Sequence, residues 1–335
     1  MTTAGIKALR KVQLGRESTA GDAVAATTIW RGPAVMPVDD QVKIMPDENI
    51  GVSSKVARQY TPMYIANMEF LETEATFEQL PHLFEAGLNT ASATQDGVGS
   101  AYTYTYNIPS GDAGTLKHYT LEGGDNKTVE EMEYSFVKEI NLSAKMGEAW
   151  MVSAAWQGRQ STVSSFTGAL SAPAVDEILF QKTKLYIDDS TGTIGTTQIT
   201  NSLIGLALKI NTGWKAQHTG DGNLYFSYPE FTGASGQLEL TLLHNATTAA
   251  ERVKWRSDTP RQIKILTLGD ALGTPGVFSN KTLDIRLAGV YTQFSPPNDE
   301  SDGSNVYKVT FELAYDSTAA LLGQILLTNE LSTLP

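Results

Sequence analysis

The chain contains no cysteine among its 335 residues. Disulfide bonds, thiol nucleophiles and cysteine metal sites are therefore excluded, and this composition suits a protein made in a reducing cytosol. No apolar run approaches the ~18 residues of a membrane-spanning helix, and the opening MTTAGIKALRK has no apolar signal segment. We therefore expect a chain that folds through burial and hydrogen bonding and has no membrane partner.

Candidate catalytic groups are also scarce. The four histidines, His82, His118, His218 and His244, show no metal-ligand spacing. No nucleophile elbow occurs, and GTIGTTQ at 192–198 lacks the lysine of a phosphate-binding loop. We expect no enzymatic activity and no cofactor.

One loop partly matches a calcium-binding pattern. In NDESDG, the residues Asn298, Glu300, Asp302 and Gly303 occupy the first, third, fifth and sixth positions of a calcium loop. The twelfth position, which should be a bidentate glutamate, is Val309. The pattern therefore predicts a solvated hairpin without a metal.

The net charge of −12 tells against a protein that grips phosphates, because DNA-binding proteins need clustered lysine and arginine to displace counterions. The charge does not exclude DNA as cargo that slides past the protein.

One long irregular segment, 36–63, and two basic clusters interrupt this acidic background. The first cluster is Lys7, Arg10, Lys11 and Arg16 at the amino end, and the second is Arg252, Lys254, Arg256, Arg261 and Lys264 in the second helix region. The clusters suit either nucleic-acid binding or docking on an acidic surface of another copy, and we favour docking because local basic patches on an acidic chain promote self-association. The segment has no convincing periodicity, and irregular stretches of this length are normally functional or disordered. The candidate subunit and ring-stacking contacts are Lys7, Arg10, Lys11, Asp39, Asp40, Lys43, Asp47, Glu48, Lys55, Arg58, Arg252, Lys254 and Arg256.

Most of the chain has the alternating pattern or the β-branched and aromatic enrichment of β-strands. The predicted strands are 102–108, 132–137, 184–188, 203–210, 238–243, 282–291 and 306–315. Two helices are predicted, one within 76–87 and one within 245–260. In the first, Thr76 with Gln79 suggests a capping box, but Pro81 also allows a start at that proline. Asn245 or Thr247 caps the second.

Two segments begin with the same tripeptide, NKTVEEMEYSFV at 126–137 and NKTLDIRLAGVY at 280–291. The tripeptide alone has no weight, because about ten such repeats are expected by chance in a chain of this length. However, two strands, a helix, the NKT strand and a closing strand follow in the same order in both halves. We therefore predict a tandem duplication, the alternative being one large sandwich whose strands look alike. The faces of the NKT strands match only if a gap is allowed.

The predicted divisions are an N-terminal arm at 1–25, a first domain at 26–172, a second domain at 173–325 and a C-terminal tail at 326–335. The long loop 36–63 lies within the first domain. The predicted fold is mainly β, with two tandem sandwich or barrel domains, each with one short flanking α-helix, together with long loops and extended termini.

The stretch GIKALRKVQLGRESTAGDAVAATTIWRG, at 5–32, resembles the amino end of major tail tube proteins of long-tailed, siphovirus-type bacteriophages. In that family a basic stretch, a GxExTxG turn and a run of small residues lead into the first strand. A long loop follows, and then YIANMEFLETEATFEQLPHLFEAGL, at 64–88, resembles the family's next strand and helix. The likeness covers most of the chain.

The resemblance implies a structural virion protein whose small β-sandwiches close into rings, with the rings stacked into a tube through which DNA is ejected. A duplicated chain resembles the variant in which three subunits form a pseudo-sixfold ring, whereas ordinary members form rings of six. The implied location is the virion tail, assembled in the host cytoplasm. The implied partners are other copies and the tape-measure, tail-tip and tail-terminator proteins, while DNA passes through an acidic lumen without specific binding.

A β-sandwich module that binds a surface polymer such as a glycan is the alternative function. Aromatic side chains provide the stacking platforms of such sites. The candidates are the five tryptophans Trp30, Trp150, Trp156, Trp214 and Trp255.

Overall fold

The computed structural model describes residues 4–39 and 43–335. The first half contains β1 (Lys11–Arg16), β2 (Thr28–Trp30), β3 (Val38–Asp39), β4 (Ala66–Glu74), α1 (Leu80–Gly87), β5 (Thr94–Gln95), β6 (Tyr102–Ile108), β7 (Tyr119–Gly124), β8 (Val129–Lys145), β9 (Met151–Gly158) and β10 (Ser161–Ser164). The second half contains β11 (Thr183–Asp189), β12 (Gln198–Ile199), β13 (Leu203–Asn211), β14 (Trp214–Gln217), β15 (Tyr228–Phe231), β16 (Ser235–Leu243), α2 (Ala246–Arg256), β17 (Arg261–Ala271), β18 (Asn280–Phe294), β19 (Asp299–Ser301), β20 (Ser304–Leu313) and β21 (Gly323–Asn329). The prediction of a mainly β fold with two short helices is confirmed.

One run of antiparallel strands extends through both halves, and we call it the long sheet. Its order is β3, β4, β9, the second half of β8, β13, β16, β20 and the second half of β18. The first half of β8 leaves this sheet and pairs with β7 and β10, while β1 lies between β2 and β7. The first half of β18 pairs with β17 and β21, while β11 lies between β12 and β17. The same order of pairing therefore occurs twice.

The two longest strands share an irregularity. A one-residue bulge interrupts the pairing of β8 with β9 at Lys138, and another interrupts the pairing of β18 with β20 at Thr292. These positions lie 154 residues apart, the same spacing as Asn126 and Asn280 of the two NKT tripeptides. β8 has a further irregularity at Tyr134, whose φ is 52°, and no residue of β18 has a positive φ. This extra irregularity lies where the two NKT strands match only with a gap.

A strand near each end of the chain belongs to a sheet. β1, inside the predicted N-terminal arm, pairs on both sides, and Val12 and Leu14 are buried. β21 runs across the predicted boundary at residue 325 and pairs with both β18 and β6. Leu334 is buried near the C-terminus. Residues 11–16 and 323–329 are thus structural strands and do not form free arms.

The two helices differ in burial. α1 begins at Leu80, so Pro81 lies in the first turn, where its missing N–H breaks no helical bond. Thr76 lies before the cap and its Oγ1 accepts a 3.3 Å hydrogen bond from the Gln79 N–H. Every residue of α1 is buried. In α2 only Thr248 and Glu251 are buried, so one side of α2 faces solvent.

The amino end of α2 is closed by a reciprocal capping box. The Asn245 side chain accepts a hydrogen bond from the Thr248 N–H, and the Thr248 hydroxyl accepts one from the Asn245 N–H, both at 3.0 Å. This confirms Asn245, rather than Thr247, as the cap.

We expect Asn245→Ala to lower the free energy of unfolding by about 1 kcal/mol, because the Thr248 N–H in the first turn of α2 loses its hydrogen-bond acceptor. Thr247→Ala, at the neighbouring exposed position, should change it by less than about 0.5 kcal/mol. Urea unfolding followed by tryptophan fluorescence measures both. Equal effects from the two substitutions would contradict the capping assignment.

Candidate assembly surfaces

The long sheet buries one face and exposes the other. Side chains alternate along its strands: Leu142 and Val152, for example, are buried in the core, while Asn141 and Ser153 lie on the opposite face. Shallow depressions lie along this polar face. Its carboxylates are Glu69, Glu72, Glu74, Glu139, Glu239 and Glu312, and its lysines are Lys138, Lys145, Lys209 and Lys308.

The lysines of the polar face lie beside acceptors. Lys209 forms an ion pair with Glu139 at 2.8 Å. Burial raises the pKa of Glu139, but hydrogen bonds from Lys209 and Asn141 outweigh burial and lower it. Lys138 lies 3.5 Å from the Asn67 side-chain oxygen, and burial lowers its pKa. Among the described residues of these strands, no arginine lies on this face, so the face presents excess carboxylate and no guanidinium.

The long sheet has an unpaired edge at each end. Residues 33–39 bond to β4 through Val35 N–H to the Glu69 oxygen at 2.9 Å and Leu71 N–H to the Pro33 oxygen at 3.0 Å. In the described part of the chain, no strand pairs with the other side of this segment. The second half of β18 likewise has β20 on one side and, among described residues, no strand on the other. Such edges are templates for pairing with another chain.

The centre of the sheet contains a complete junction of the same kind. There, residues 139–145 of β8 pair with residues 205–211 of β13. β8 has the same place in the first half as β18 in the second, and β13 has the place of segment 33–39. The inner junction therefore joins the two types of edge that remain open at the ends.

The described part of the long loop, 43–63, projects from the end of β3. Ile44 and Tyr60 exchange backbone hydrogen bonds of 2.9 and 3.0 Å. The predicted contact residues of this loop largely pair with one another, Lys55 with Asp47 at 3.4 Å and Arg58 with Glu48 at 2.9 Å. The exposed apolar side chains are Ile44, Met45, Ile50, Val52 and Tyr60. The loop therefore presents apolar side chains beside its ion pairs, and the prediction based on charge missed these apolar side chains.

Residues 212–234 connect β13 to β16, as the long loop connects β3 to β4, but they fold back on the protein. Strands β14 and β15 form a hairpin, and the buried Phe226 packs on Tyr134 and Phe136, with ring centroids 5.1 and 5.9 Å apart. The Tyr64 N–H donates to the Leu224 oxygen at 2.8 Å. The hairpin thus covers the bulged part of β8.

Three residues of the first predicted basic cluster lie around one cleft. Lys7, Arg10 and Lys11 line a cleft together with residues 32–36, and the Lys11 ammonium lies 4.1 Å from the centre of the Phe166 ring.

In the long segment 36–63, Lys43 is exposed. Asp39 pairs through its backbone with Ala66, whereas its side chain and all of Asp40 lie outside the described residues.

The second basic cluster lies on α2. Lys254 reaches Asp189 at 3.4 Å, and the Arg252 guanidinium lies 5.8 Å from the centre of the Tyr307 ring. Arg256 is exposed. The structure places the two basic clusters in different halves and does not bring them together into one patch.

Two ion pairs with buried glutamates attach the helices to the sheets. They use Arg16 and Arg261, which the sequence analysis wrongly assigned to the basic docking clusters. Glu85 of α1 accepts from Arg16 at 2.7 and 3.0 Å and from the Tyr119 hydroxyl at 3.0 Å. Glu251 of α2 accepts from Arg261 at 3.0 and 2.7 Å. The only sequence signal was a glutamate among the apolar residues of a short helix.

Burial, together with the Arg16–Glu85 ion pair, shifts the pKa values of two neighbouring side chains. His82 contacts the Tyr119 hydroxyl at 2.9 Å. Burial, with a smaller effect of Arg16, lowers the pKa of His82 to about 3. Burial and the Glu85 carboxylate raise the pKa of Tyr119 well above its usual range. His82 is therefore neutral at neutral pH.

The described residues contain no group of three or more His, Asp or Glu side chains placed to hold a metal ion. The NDESDG loop forms the hairpin of β19 and β20, in which the Gly303 N–H donates to Glu300 at 2.9 Å. Within the same described residues, no helix has the length and apolar character needed to cross a bilayer.

No model of a known protein family matches the chain. No curated protein matches it at a significant level.

Proposed function

We propose that this chain is a structural tail tube protein of a long-tailed bacteriophage, whose copies close into rings that stack into a conduit for DNA. The observation that carries the proposal is the pair of open edges at opposite ends of the long sheet. Pairing the β18 edge of one copy with the 33–39 edge of the next would repeat the junction already present between β8 and β13. Closure of this kind removes the exposed edges.

The repeated strand order supports two tandem domains in each chain. The shared bulges at Lys138 and Thr292 and the two NKT tripeptides have one common spacing. Three chains would then supply six equivalent sheet segments and build a pseudo-sixfold ring. Stacking such rings head to tail is a heterologous contact that does not close, and it therefore produces a filament.

The polar face of the long sheet supports the role of conduit. If this face lines the bore, DNA meets excess carboxylate and lysines that already have acceptors. In the described strands this face has no arginine. Arginine is the side chain whose guanidinium binds phosphate in a bidentate manner. DNA would be repelled over a Debye length of about 8 Å and would pass without specific binding.

The assembly context follows from this role. The protein would be made in the host cytoplasm and become part of the virion tail. Its partners would be other copies of itself and the proteins that initiate, measure and terminate the tube, namely the tail-tip, tape-measure and tail-terminator proteins.

Electron microscopy of the purified protein tests the proposal. We expect monomers or weak oligomers at low concentration and hollow tubes of regular pitch on concentration or on addition of a tail-tip complex. Rotational averaging should show sixfold features from three chains per ring. Compact monomers under every condition, including with the tip complex, would refute the proposal.

Glycan binding has less support. Trp30, Trp150 and Trp156 are buried, and Trp214 and Trp255 are partly buried against hydrophobic clusters. Stacking platforms need an exposed ring face. Binding of a stable monomer to a glycan array would nevertheless reverse the ranking.

A further inference from the structure

The projecting loop 43–63 and the folded hairpin 212–234 occupy corresponding places in the repeated strand order. The first connects β3 to β4 and the second connects β13 to β16. The hairpin does not rest on its own half of the chain. Phe226 packs on Tyr134 and Phe136 of β8, the strand that lies next to β13 in the long sheet. The segment that connects β13 to β16 therefore packs on the half of the chain that precedes it.

Part of the surface beneath Phe226 has an exposed counterpart in the second half of the chain, although Ala288, which lies 154 residues after Tyr134, is buried. Val290 lies 154 residues after Phe136, the spacing of the two bulges, and it is 36% exposed. Tyr315, just beyond β20, is 53% exposed and follows Ala314, whose N–H donates to the Ala288 oxygen at 3.0 Å. Phe136, in contrast, is fully buried beneath the hairpin.

The loop offers matching apolar surface. Ile50 and Val52, near its tip, are 61% and 57% exposed. Lys55 and Arg58 already have ion-pair partners within the loop, so docking through the part around Ile50 and Val52 would not bury their charges unpaired. Exposed apolar side chains that lie together on a surface mark interaction sites.

We infer that loop 43–63 docks on the surface around Val290 and Tyr315 of a second copy in the same ring, as hairpin 212–234 docks on β8 within the chain. The inference rests on the proposed ring, in which segment 33–39 of one copy lies beside β18 of the next. It places this loop within the ring rather than between successive rings. One type of junction would then be covered by a hairpin from the same chain and the other by a loop from a neighbour.

Cross-linking with introduced cysteines tests this placement, because the natural chain has none. The double variant V52C/Y315C is assembled into tubes and treated with a short bis-maleimide reagent. We expect dimers and trimers on a denaturing gel and no larger species, because contacts within a three-membered ring close on themselves. The matched control V98C/Y315C carries a cysteine at a site that is 91% exposed in another loop, and it should give no ladder.

The other outcomes separate the inference from the proposed function. A ladder extending beyond trimers would place the loop on another ring, and intact tubes without cross-links would show that the loop does not reach this surface. Either result overturns the inference and leaves the tube intact. If the natural protein forms no tubes, the proposed function itself fails, and the inference fails with it.

If the double variant does not assemble into tubes but the natural protein does, the single variant Y315C still tests the inference. Y315C tubes are labelled with a monofunctional maleimide, and the labelling rate is compared with that of the Y315C monomer. A rate at least tenfold lower in tubes supports docking over Tyr315. Equal rates overturn it.

Discussion

Replacing Glu85 by leucine is expected to lower the free energy of unfolding of the monomer by about 3 kcal/mol. The Glu85 carboxylate is fully buried and pairs with Arg16, whose side chain is 27% exposed. Removing one partner of a buried ion pair typically costs about 3–5 kcal/mol, because the remaining charge loses its compensation. Arg16 can turn partly toward water, which places the expected loss at the lower end. Urea unfolding followed by tryptophan fluorescence measures it.

Two further variants make this prediction specific. Glu69→Leu makes the same chemical change at an exposed position of the same half and should alter the unfolding free energy by less than about 0.5 kcal/mol. The double variant R16M/E85L removes both charges, so it should recover much of the loss. A loss in E85L no larger than in E69L, or strictly additive effects of R16M and E85L, would contradict a coupled buried pair.

Acid is expected to destabilise the monomer by about 4 kcal/mol between pH 7 and pH 5 through two histidines. Burial lowers the pKa of His82 to about 3 and that of His118 to about 4, whereas an unfolded histidine titrates near 6.5. As the pH falls below that value, both histidines become protonated in the unfolded chain but stay neutral in the folded chain. Protonation therefore stabilises the unfolded state, and the free energy of unfolding falls. Each site contributes about 1.4 kcal/mol per pH unit, or about 2 kcal/mol down to pH 5.

Urea midpoints at several pH values between 7 and 5 measure this dependence. His82→Gln removes one titrating group, so it should remove about half of the expected slope even though it also lowers stability at pH 7. His244→Gln, at an exposed position, should leave the slope unchanged. A wild-type slope that persists in both H82Q and H118Q would contradict the assignment to these two groups.

Local patterns in the sequence predicted most of the individual elements. The predicted strand 102–108 coincides with β6, and both helices lie where cap and proline signals placed them. These signals depend on neighbours within a few residues, so they can be read without the tertiary structure.

The arrangement of the strands could not be predicted in the same way. β8 extends over 17 residues and changes sheets midway, and neither edge of the long sheet has a distinctive sequence. Pairing between distant strands depends on which surfaces meet, and alternation alone specifies only which face is buried. The tandem division of the chain remains a prediction, supported by the repeated pairing order.

The predicted contact residues illustrate the limit of arguments from charge. Lys55 and Arg58 were singled out for another subunit, but each has a carboxylate partner eight to ten positions earlier in the same loop. Glu85 drew no attention, because a single carboxylate in a helix is ordinarily solvated. Whether a charge is buried or already paired is decided by the tertiary fold.

The pairing of β6 with β21 has a consequence for synthesis of the chain. The Gln324 side chain donates to Asn107 across a separation of 217 residues, so β6 leaves the ribosome long before its partner exists. At ~5–20 residues per second the delay is roughly 10–40 s. During that time YTYTYNI, an uncharged segment of high β-propensity, has an open edge and can pair with nascent chains on neighbouring ribosomes. Chaperone dependence at high expression levels is therefore built into the order in which this sheet is completed.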